Sequence, residues 1–273
     1  MPTLILYSRY NSETKILRKE SQKLGWDSFR LEKDLLPDWY EIKDKNYAIY
    51  CTVPDAFNIA DQIESTLLGC SYDWLPNLSE EFIKREIKLF NLKDISDIKS
   101  KYFIKPALSK SFNACVTTGE RLHKEVKHLP EMLKVHVSEP VTWEVEYRCF
   151  ISEKEIKTLS PYVRYKETFN SYEKPLIGPA SERTEAFIFA QNLVEKVNIP
   201  NALVLDIGKI KNKGWAVVEP NECWGSGIYG CSPKKVLQVL LNSCIPKKDF
   251  KEDQKCWDYK VHYFDACPNL KND

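Results

Sequence analysis

The chain has 273 residues, 43% hydrophobic and 29% charged, enough for one large or two modest domains and balanced like a globular protein rather than a disordered one. With 40 Lys and Arg against 39 Asp and Glu, no overall charge favours a nucleic-acid coat or an anionic membrane. No apolar run reaches the roughly 18 residues of a membrane span, and the opening MPTLILYSRYNSE lacks the basic region and apolar length of a signal peptide.

TLILY (3–7) reads as a buried strand, after which Asn11 or Ser12 caps a helix from about 13 to 24, closed by Gly25. YAIYCTV (47–53) is a second apolar run stopped by Pro54, followed by a helical face of Phe57, Ala60, Ile63, Leu67 and Leu68. This β-α-β-α order is that of a small parallel α/β layer, expected over residues 1–76, and the polar, proline-containing stretch 71–78 marks its boundary. Ser79, with Glu81 and Phe82, opens a helix to about residue 91 at the head of a second domain, expected over 77–245. KYFIKP (101–106) is a strand, ALSKSFNACV a loop, and further strands are expected at 132–137, 142–151 and 155–160. Residues 163–181 are an irregular excursion. A helix over 182–197 carries Ala186, Phe189, Ala190, Leu193 and Val197 at helical spacing, and Pro233 starts another, to about 241. The remainder, 246–273, reads as a charged tail with one weak strand near Tyr259–Phe264.

The nine cysteines are scattered and odd in number, with no C-x-x-C pair, so neither a disulfide framework nor a zinc site is expected. Cys115 and Cys149 read as buried thiols, and a reducing cytoplasm is the expected setting. There is no G-x-S-x-G, no Walker A sequence and no G-x-G-x-x-G after a strand, which excludes the nucleophile-elbow, P-loop and Rossmann readings.

The chemistry concentrates in LVLDIGKIKNKGWAVVEPNECWGSGIYG (203–230), two strands joined by a lysine-rich turn and ending in Gly225, Gly227 and Gly230. Strand residues i and i+2 point the same way, so Glu219 and Asn221 present two oxygen ligands, and an antiparallel partner brings Asp206 opposite them. Few, hard oxygen ligands suit magnesium that takes its other ligands from water and phosphate; a polar strand end capping a turn uses the same residues. Lys105 ends its strand where an ammonium reaches a phosphate, and Lys110 lies in the loop that follows. In TWEVEYRCF, Glu144, Glu146 and Arg148 share one face, as a surface ion-pair row or as the wall of a polar site. Tyr162 and Arg164 are further candidates for facing substrate.

In this order (strand lysine, short connection, strand glutamate, Asp, then Glu-x-Asn) the chain resembles the ATP-grasp superfamily over roughly residues 80–242. FIKP-x4-SFNA, EPV-x-W-x2-EYRCF, LDIG and VEPN-x5-GIYG resemble one subgroup, in which the arginine two residues before the metal-binding aspartate is absent and a lysine elsewhere replaces it. Here that position is Val204. The resemblance implies an α/β (α+β) ATP-grasp fold behind a small N-terminal α/β pre-ATP-grasp domain. It implies that Lys105 contacts ATP phosphates, and Lys110 these or the transferred group. Ser138, Glu139, Pro140 and Val141 line the adenine through backbone amides, and Glu146 takes the ribose hydroxyls. Asp206, Glu219 and Asn221 hold one or two Mg2+ ions, with Mn2+ as a substitute. Arg148 stabilises an acyl phosphate, and Lys209 or Lys211 replaces the absent arginine, although alternation puts Lys209 on the face opposite Asp206. The implied activity is an ATP-dependent carboxylate-amine ligase acting on a small-molecule or peptide acceptor. A kinase-like phosphotransferase on the same fold and a nucleotide-binding regulatory module are the alternatives.

Overall fold

The leucine and isoleucine run at the chain start is fully buried as β1 (Thr3–Leu6), the centre of a parallel three-stranded sheet. The computed structural model describes residues 1–6, 11–31, 46–165, 167–169, 171–172 and 174–268. Tyr7 of the expected first strand, residues 166, 170 and 173 of the excursion, and 269–273 of the expected tail lie outside the described residues. In α1 (Ser12–Lys23) the cap is Asn11, whose Oδ1 accepts the Thr14 N–H at 2.8 Å while the Thr14 hydroxyl accepts the Asn11 N–H at 3.2 Å. β2 (Asp27–Arg30) and β3 (Tyr47–Tyr50) flank β1, both parallel to it. The sequence pattern does not reveal β2, because DSFR has no apolar run and is only partly buried.

α2 (Val53–Gln62) stops before Leu67 and Leu68, which the apolar spacing puts on its face. Glu64 takes a left-handed φ of 50°, ending the helix, and Leu67 belongs to β4 (Ser65–Leu67). The helix expected from Ser79 to about 91 is likewise short. α3 (Glu80–Ile83) ends at Lys84, with a φ of 48°, and Ile87–Asn91 is a strand, β5. Tertiary contacts override the helical pattern here: the Lys84 ammonium donates to Lys213 O at 3.0 Å, and Arg85 donates to the carbonyls of Val217 and Val218.

β6 (Lys101–Pro106), β7 (Cys115–Thr118), α4 (Gly119–Glu125) and β8 (Lys134–Ser138) complete the first half of the larger unit. Its sheet is antiparallel with order β5-β8-β6-β7, and Ile104, Val135 and Val137 meet Leu122 of α4 beneath it.

The second half is built on β9 (Trp143–Ser152), β10 (Glu155–Arg164), β11 (Glu167–Thr168), β12 (Ala202–Ile210) and β13 (Gly214–Asn221), antiparallel in the order β11-β10-β9-β12-β13. α5 (Ala180–Lys196) covers one face, where Ala186, Ala190, Leu193 and Val194 meet Val145, Tyr147, Cys149, Leu203, Leu205 and Ile207. The other face is divided. Phe150, Ala202 and Val204 join the N-terminal layer and α6 (Pro233–Asn242) in one apolar cluster, and Glu146, Arg148, Asp206 and Glu219 occupy the rest.

The chain then returns to the first layer. β14 (Cys244–Pro246) pairs with β4, and the stretch expected as a weak strand is helical, α7 (Tyr259–Ala266), capped by Asp258. Tyr259 is 2% exposed and meets the rings of Phe57 and Trp224, so this stretch packs by its aromatic residues despite its charged composition. Among the described residues no helix is long and apolar enough to cross a membrane. Tyr259→Ala is expected to lower the unfolding free energy by about 3 kcal/mol in urea titrations, as for other large buried aromatic truncations; a change near zero would place α7 outside the cooperative unit.

Candidate active site

Asp206 on β12 stands directly opposite Glu219 on β13, and a β-bulge makes this arrangement work. Unbroken alternation would turn Glu219 to the same face as Val217, which packs under α5. In the observed register Asp206 pairs with Glu219 but Ile207 pairs with Val217, so Val218 is the extra residue. Val217 stays in the core and Glu219 faces the opposite side with Asp206. Arg85 braces the bulge, donating to Val217 O at 2.7 Å and Val218 O at 3.1 Å, with its guanidinium 5.0 Å from the Trp143 ring centroid. Burial lowers the Arg85 pKa to about 10, which leaves it charged at neutral pH. Asn221 completes the group: its Nδ2 donates to Asp206 Oδ2 at 3.0 Å and to Glu219 Oε1 at 3.4 Å.

Behind these lies a buried bidentate pair. Arg148 donates from Nε to Asp206 Oδ1 at 2.9 Å and from Nη2 to Asp206 Oδ2 at 2.6 Å, and its Nη1 donates to Gly227 O at 3.0 Å. The guanidinium carbon lies 4.7 Å from the Tyr229 ring and 5.3 Å from Tyr162, and these two rings stack on each other. Burial works against the Arg148 charge, but Asp206 outweighs it and holds the proton well above the usual range. Arg148 is 6% exposed and Asp206 fully buried, so both stand behind the cleft wall.

The cleft itself, about 700 Å³, opens between the two antiparallel sheets. Its walls bring together Lys105, Lys110, Ser138, Glu139, Pro140, Val141, Glu146, Tyr162, Glu219 and Asn221. Lys105 forms an ion pair with Glu219 across it. Burial pushes the Glu219 carboxyl up, yet the Lys105 ammonium outweighs this and holds it at about 2. Glu146 has no such cation within reach. Burial raises it to about 7, and its Oε2 accepts the Tyr162 hydroxyl at 2.6 Å. In the connection from β8 to β9, the Glu139 N–H is taken by Glu86 O at 2.9 Å and the Glu139 carboxylate pairs with Lys213 at 2.8 Å. That amide is therefore engaged within the protein.

Three expected site residues stand away from the cleft. Lys209 lies on the α5 face, its Nζ 3.0 Å from Glu185 Oε2, because strand alternation turns it away from Asp206. Lys211 is exposed, with its N–H on Thr142 O at 2.9 Å. Arg164 pairs with Glu182 in the first turn of α5. The register of β10 explains this last case: Pro161 pairs with Tyr147 and Val163 with Glu146, so Tyr162 is the extra residue of a second bulge. Tyr162 reaches Glu146 and Arg164 is sent to the far face. Val204 is fully buried beside Phe150, a position that leaves no solvent for a charged head.

Other contributors carry no readable signal in the sequence. Glu13 accepts from Ile228 N at 2.8 Å and from the hydroxyls of Tyr172 and Tyr50 at 2.6 Å each, tying α1 to the glycine-containing loop after Asn221. Gly227 admits this carboxylate, since a Cβ there would stand 3.2 Å from Glu13 Oε1. Arg85 falls within an expected helix, and Tyr229 reads as a spacer between glycines. His136 pairs in register with Lys105, its Nε2 2.6 Å from Tyr72 O, and that contact assigns the ring proton to Nε2.

The donor set is open: two carboxylates and one amide oxygen, joined by no third His, Cys, Asp or Glu among the described residues. Such a set fits magnesium completed by water and phosphate, and does not fit a closed zinc cage.

A family model described as an ATP-grasp domain, family 2 of the R-to-K clade, matches residues 82–239. No curated protein matches the chain. Among solved structures, the chain is similar to N5-carboxyaminoimidazole synthetase from Staphylococcus aureus, with a TM-score of 0.55 at 10% identity over 90% of this chain and 78% of that one. It is similar to an L-amino acid ligase from Bacillus licheniformis, with a TM-score of 0.52 at 11% identity over 93% and 77%. It is similar also to the macrocyclase MdnC bound with precursor peptide MdnA from Microcystis aeruginosa MRC, with a TM-score of 0.50 at 11% identity over 89% and 100%. At these identities the likeness shows the fold, which is that of ATP-grasp proteins.

Two measurements check the electrostatics. Arg148→Met leaves the Asp206 carboxylate buried without its partner and is expected to cost about 3–5 kcal/mol of unfolding free energy; a loss below about 1 kcal/mol would show the pair to be dispensable. Burial, with the Lys105 charge second, pushes His136 down from 6.5 to about 4. Between these values the unfolded chain binds more protons than the native one, so this contribution to stability is complete above about pH 6.5 and lost as pH falls toward 4. Wild type is expected to lose about 3 kcal/mol more than His136→Asn over that window, read by urea unfolding at several pH values, and parallel curves would contradict it.

Proposed function

The chain belongs to the ATP-grasp domain family, in the second family of the R-to-K clade, and from that membership and its cleft we propose that it is an ATP- and magnesium-dependent ligase, activating a carboxylate and joining it to an amine. One observation carries the reading. Lys105, Glu219 and Asn221, drawn from two different sheets, meet in a single cleft whose other walls are the β8–β9 connection and Glu146. Neighbouring folds whose names are synthetase, amino acid ligase and peptide macrocyclase support the reaction class, and a small molecule or a peptide as acceptor.

On this reading adenine lies against residues 138–141, with Phe103 and Trp143 as apolar walls. Glu146 takes the ribose hydroxyls in place of the Tyr162 hydroxyl. Lys105 leaves Glu219 for the phosphates, and Lys110 approaches them from the loop between β6 and β7. Asp206, Glu219 and Asn221 would hold magnesium, which when bound neutralises charge on the β- and γ-phosphates. A substrate carboxylate oxygen attacks the γ-phosphorus and ADP leaves, giving an acyl phosphate. The amine, having given one proton to water, then attacks the acyl carbon, and inorganic phosphate leaves as the amide forms. All three donor atoms of Arg148 are engaged, so its role is to orient Asp206 and the Gly227 carbonyl rather than to touch the acyl phosphate.

The test is product stoichiometry with ATP, magnesium and pooled carboxylates and amines. The ligase reading expects ADP and phosphate in equal amounts with an amide product. A phosphorylated acceptor would make the protein a kinase, and tight ATP binding without turnover a regulatory module. Glu219→Gln and Lys105→Met are each expected to lower turnover at least ~100-fold while the unfolding midpoint changes little; full activity in Glu219→Gln would refute the metal assignment.

A further inference from the structure

The cleft holds one carboxylate that the nucleotide and magnesium do not use. Glu222, next in the chain to Asn221, lines the cleft beside Cys70, Leu108, Lys110 and Tyr259. Its backbone is fixed, because Ser226 Oγ donates to Glu222 O at 2.7 Å. Gly225 makes room for the side chain, since a Cβ there would stand 2.8 Å from Glu222 Oε1. The Tyr259 hydroxyl, brought by α7, donates to the carboxylate.

Charge sets Glu222 apart from its neighbours. Glu219 is matched by Lys105, Asp206 by Arg148 and Glu139 by Lys213. Glu146 has a tyrosine hydroxyl and, on the proposed reading, the ribose. Among the described residues no lysine, arginine or histidine makes an ion pair with Glu222, and Lys110 acts on it only through space from an exposed loop position. A carboxylate offers about four lone-pair sites, and one phenol fills one of them. A half-buried anion set among a thiol, a leucine and a tyrosine is costly unless a cation reaches it.

We propose that Glu222, backed by Tyr259, is an ammonium-binding subsite that recognises the cationic end of the amine substrate, a protonated primary amine whose short apolar stem lies against Leu108 and Cys70. This rests on the ligase reading and supplies its acceptor class. The role is recognition, and the covalent steps remain those given above.

The experiment uses full-length protein loaded with magnesium and a non-hydrolysable ATP analogue. L-alanine amide and L-leucine amide, whose only charge is the ammonium, are titrated against their N-acetyl counterparts, with binding read by saturation-transfer NMR. The free amines are expected to bind and the acetylated ones not. Glu222→Gln is expected to weaken amine binding at least tenfold, and Glu222→Asp less, with analogue affinity changed less than twofold and an unfolding midpoint near wild type. Equal binding of acetylated and free amines, or unchanged amine binding in Glu222→Gln, overturns the subsite. Parallel loss of the analogue in Glu222→Gln overturns it too, by assigning Glu222 to the nucleotide end. Wild type that binds the analogue but neither amine overturns the subsite and leaves the nucleotide reading standing; wild type that binds no analogue overturns both.

Discussion

The bidentate pair between Arg148 and Asp206 is the point from which the rest of the site is built. Both partners are buried in the middle of the five-stranded sheet, where desolvation costs several kcal/mol per ion and well-packed apolar residues would be at least as stable. The pair is therefore better understood by what it positions. Asp206 is held for Asn221 and faces Glu219, and the third guanidinium bond draws in the Gly227 carbonyl. The loop carrying Gly227 is gripped from the other side by Glu13 of α1. A chain of hydrogen bonds thus runs from the N-terminal parallel layer to the carboxylates of the cleft, and the aromatic rings of Tyr162 and Tyr229 shield it.

The five-stranded sheet serves two ends with one face. Toward one end Phe150, Ala202 and Val204 make an apolar floor for the N-terminal layer and α6. Toward the other, residues on the same strands and of the same parity, Glu146, Arg148 and Asp206, are polar. Alternation alone handles β9 and β12, whose site residues are legible as period-2 patterns. It fails on β10 and β13, where a bulge shifts the parity by one. Glu219 and Val217 would otherwise compete for the same face, and so would Tyr162 and Arg164. A bulge depends on the register of the partner strand, so Arg164 looks in the sequence like a companion of Tyr162 when it belongs to α5.

The motif order FIKP, EYRCF, LDIG and VEPN is enough to place Lys105, Glu146, Asp206, Glu219 and Asn221 together, because each motif ends or crosses a strand and the strands stack in a fixed order. The elements that the sequence hides share a physical cause. α3 is cut short by side chains that reach backbone carbonyls of β13 and its turn, far along the chain. β2 is too polar to show an apolar run. α7 has the charge density of a solvated segment, and only its Tyr259, seated against Phe57 and Trp224, decides that it packs. Contacts of this range leave no local periodicity to read.

The two sheets are fastened to each other in two chemically different ways. At the outer edge Lys84 and Arg85 donate to backbone carbonyls of β13 and its turn, and Lys213 pairs with Glu139. Bonds to carbonyls ask nothing of a ligand. At the inner edge the tie is Lys105 to Glu219, a pair of opposite charges in a half-buried cleft. On the proposed reading a polyphosphate takes Lys105 and a cation takes Glu219, so one ion pair is exchanged for two and neither charge is stranded. Either ligand alone would leave one of the two partly buried and uncompensated, which low-dielectric surroundings penalise. The cleft is thereby matched to metal and nucleotide arriving as one unit, while the outer edge keeps the sheets in register during the exchange.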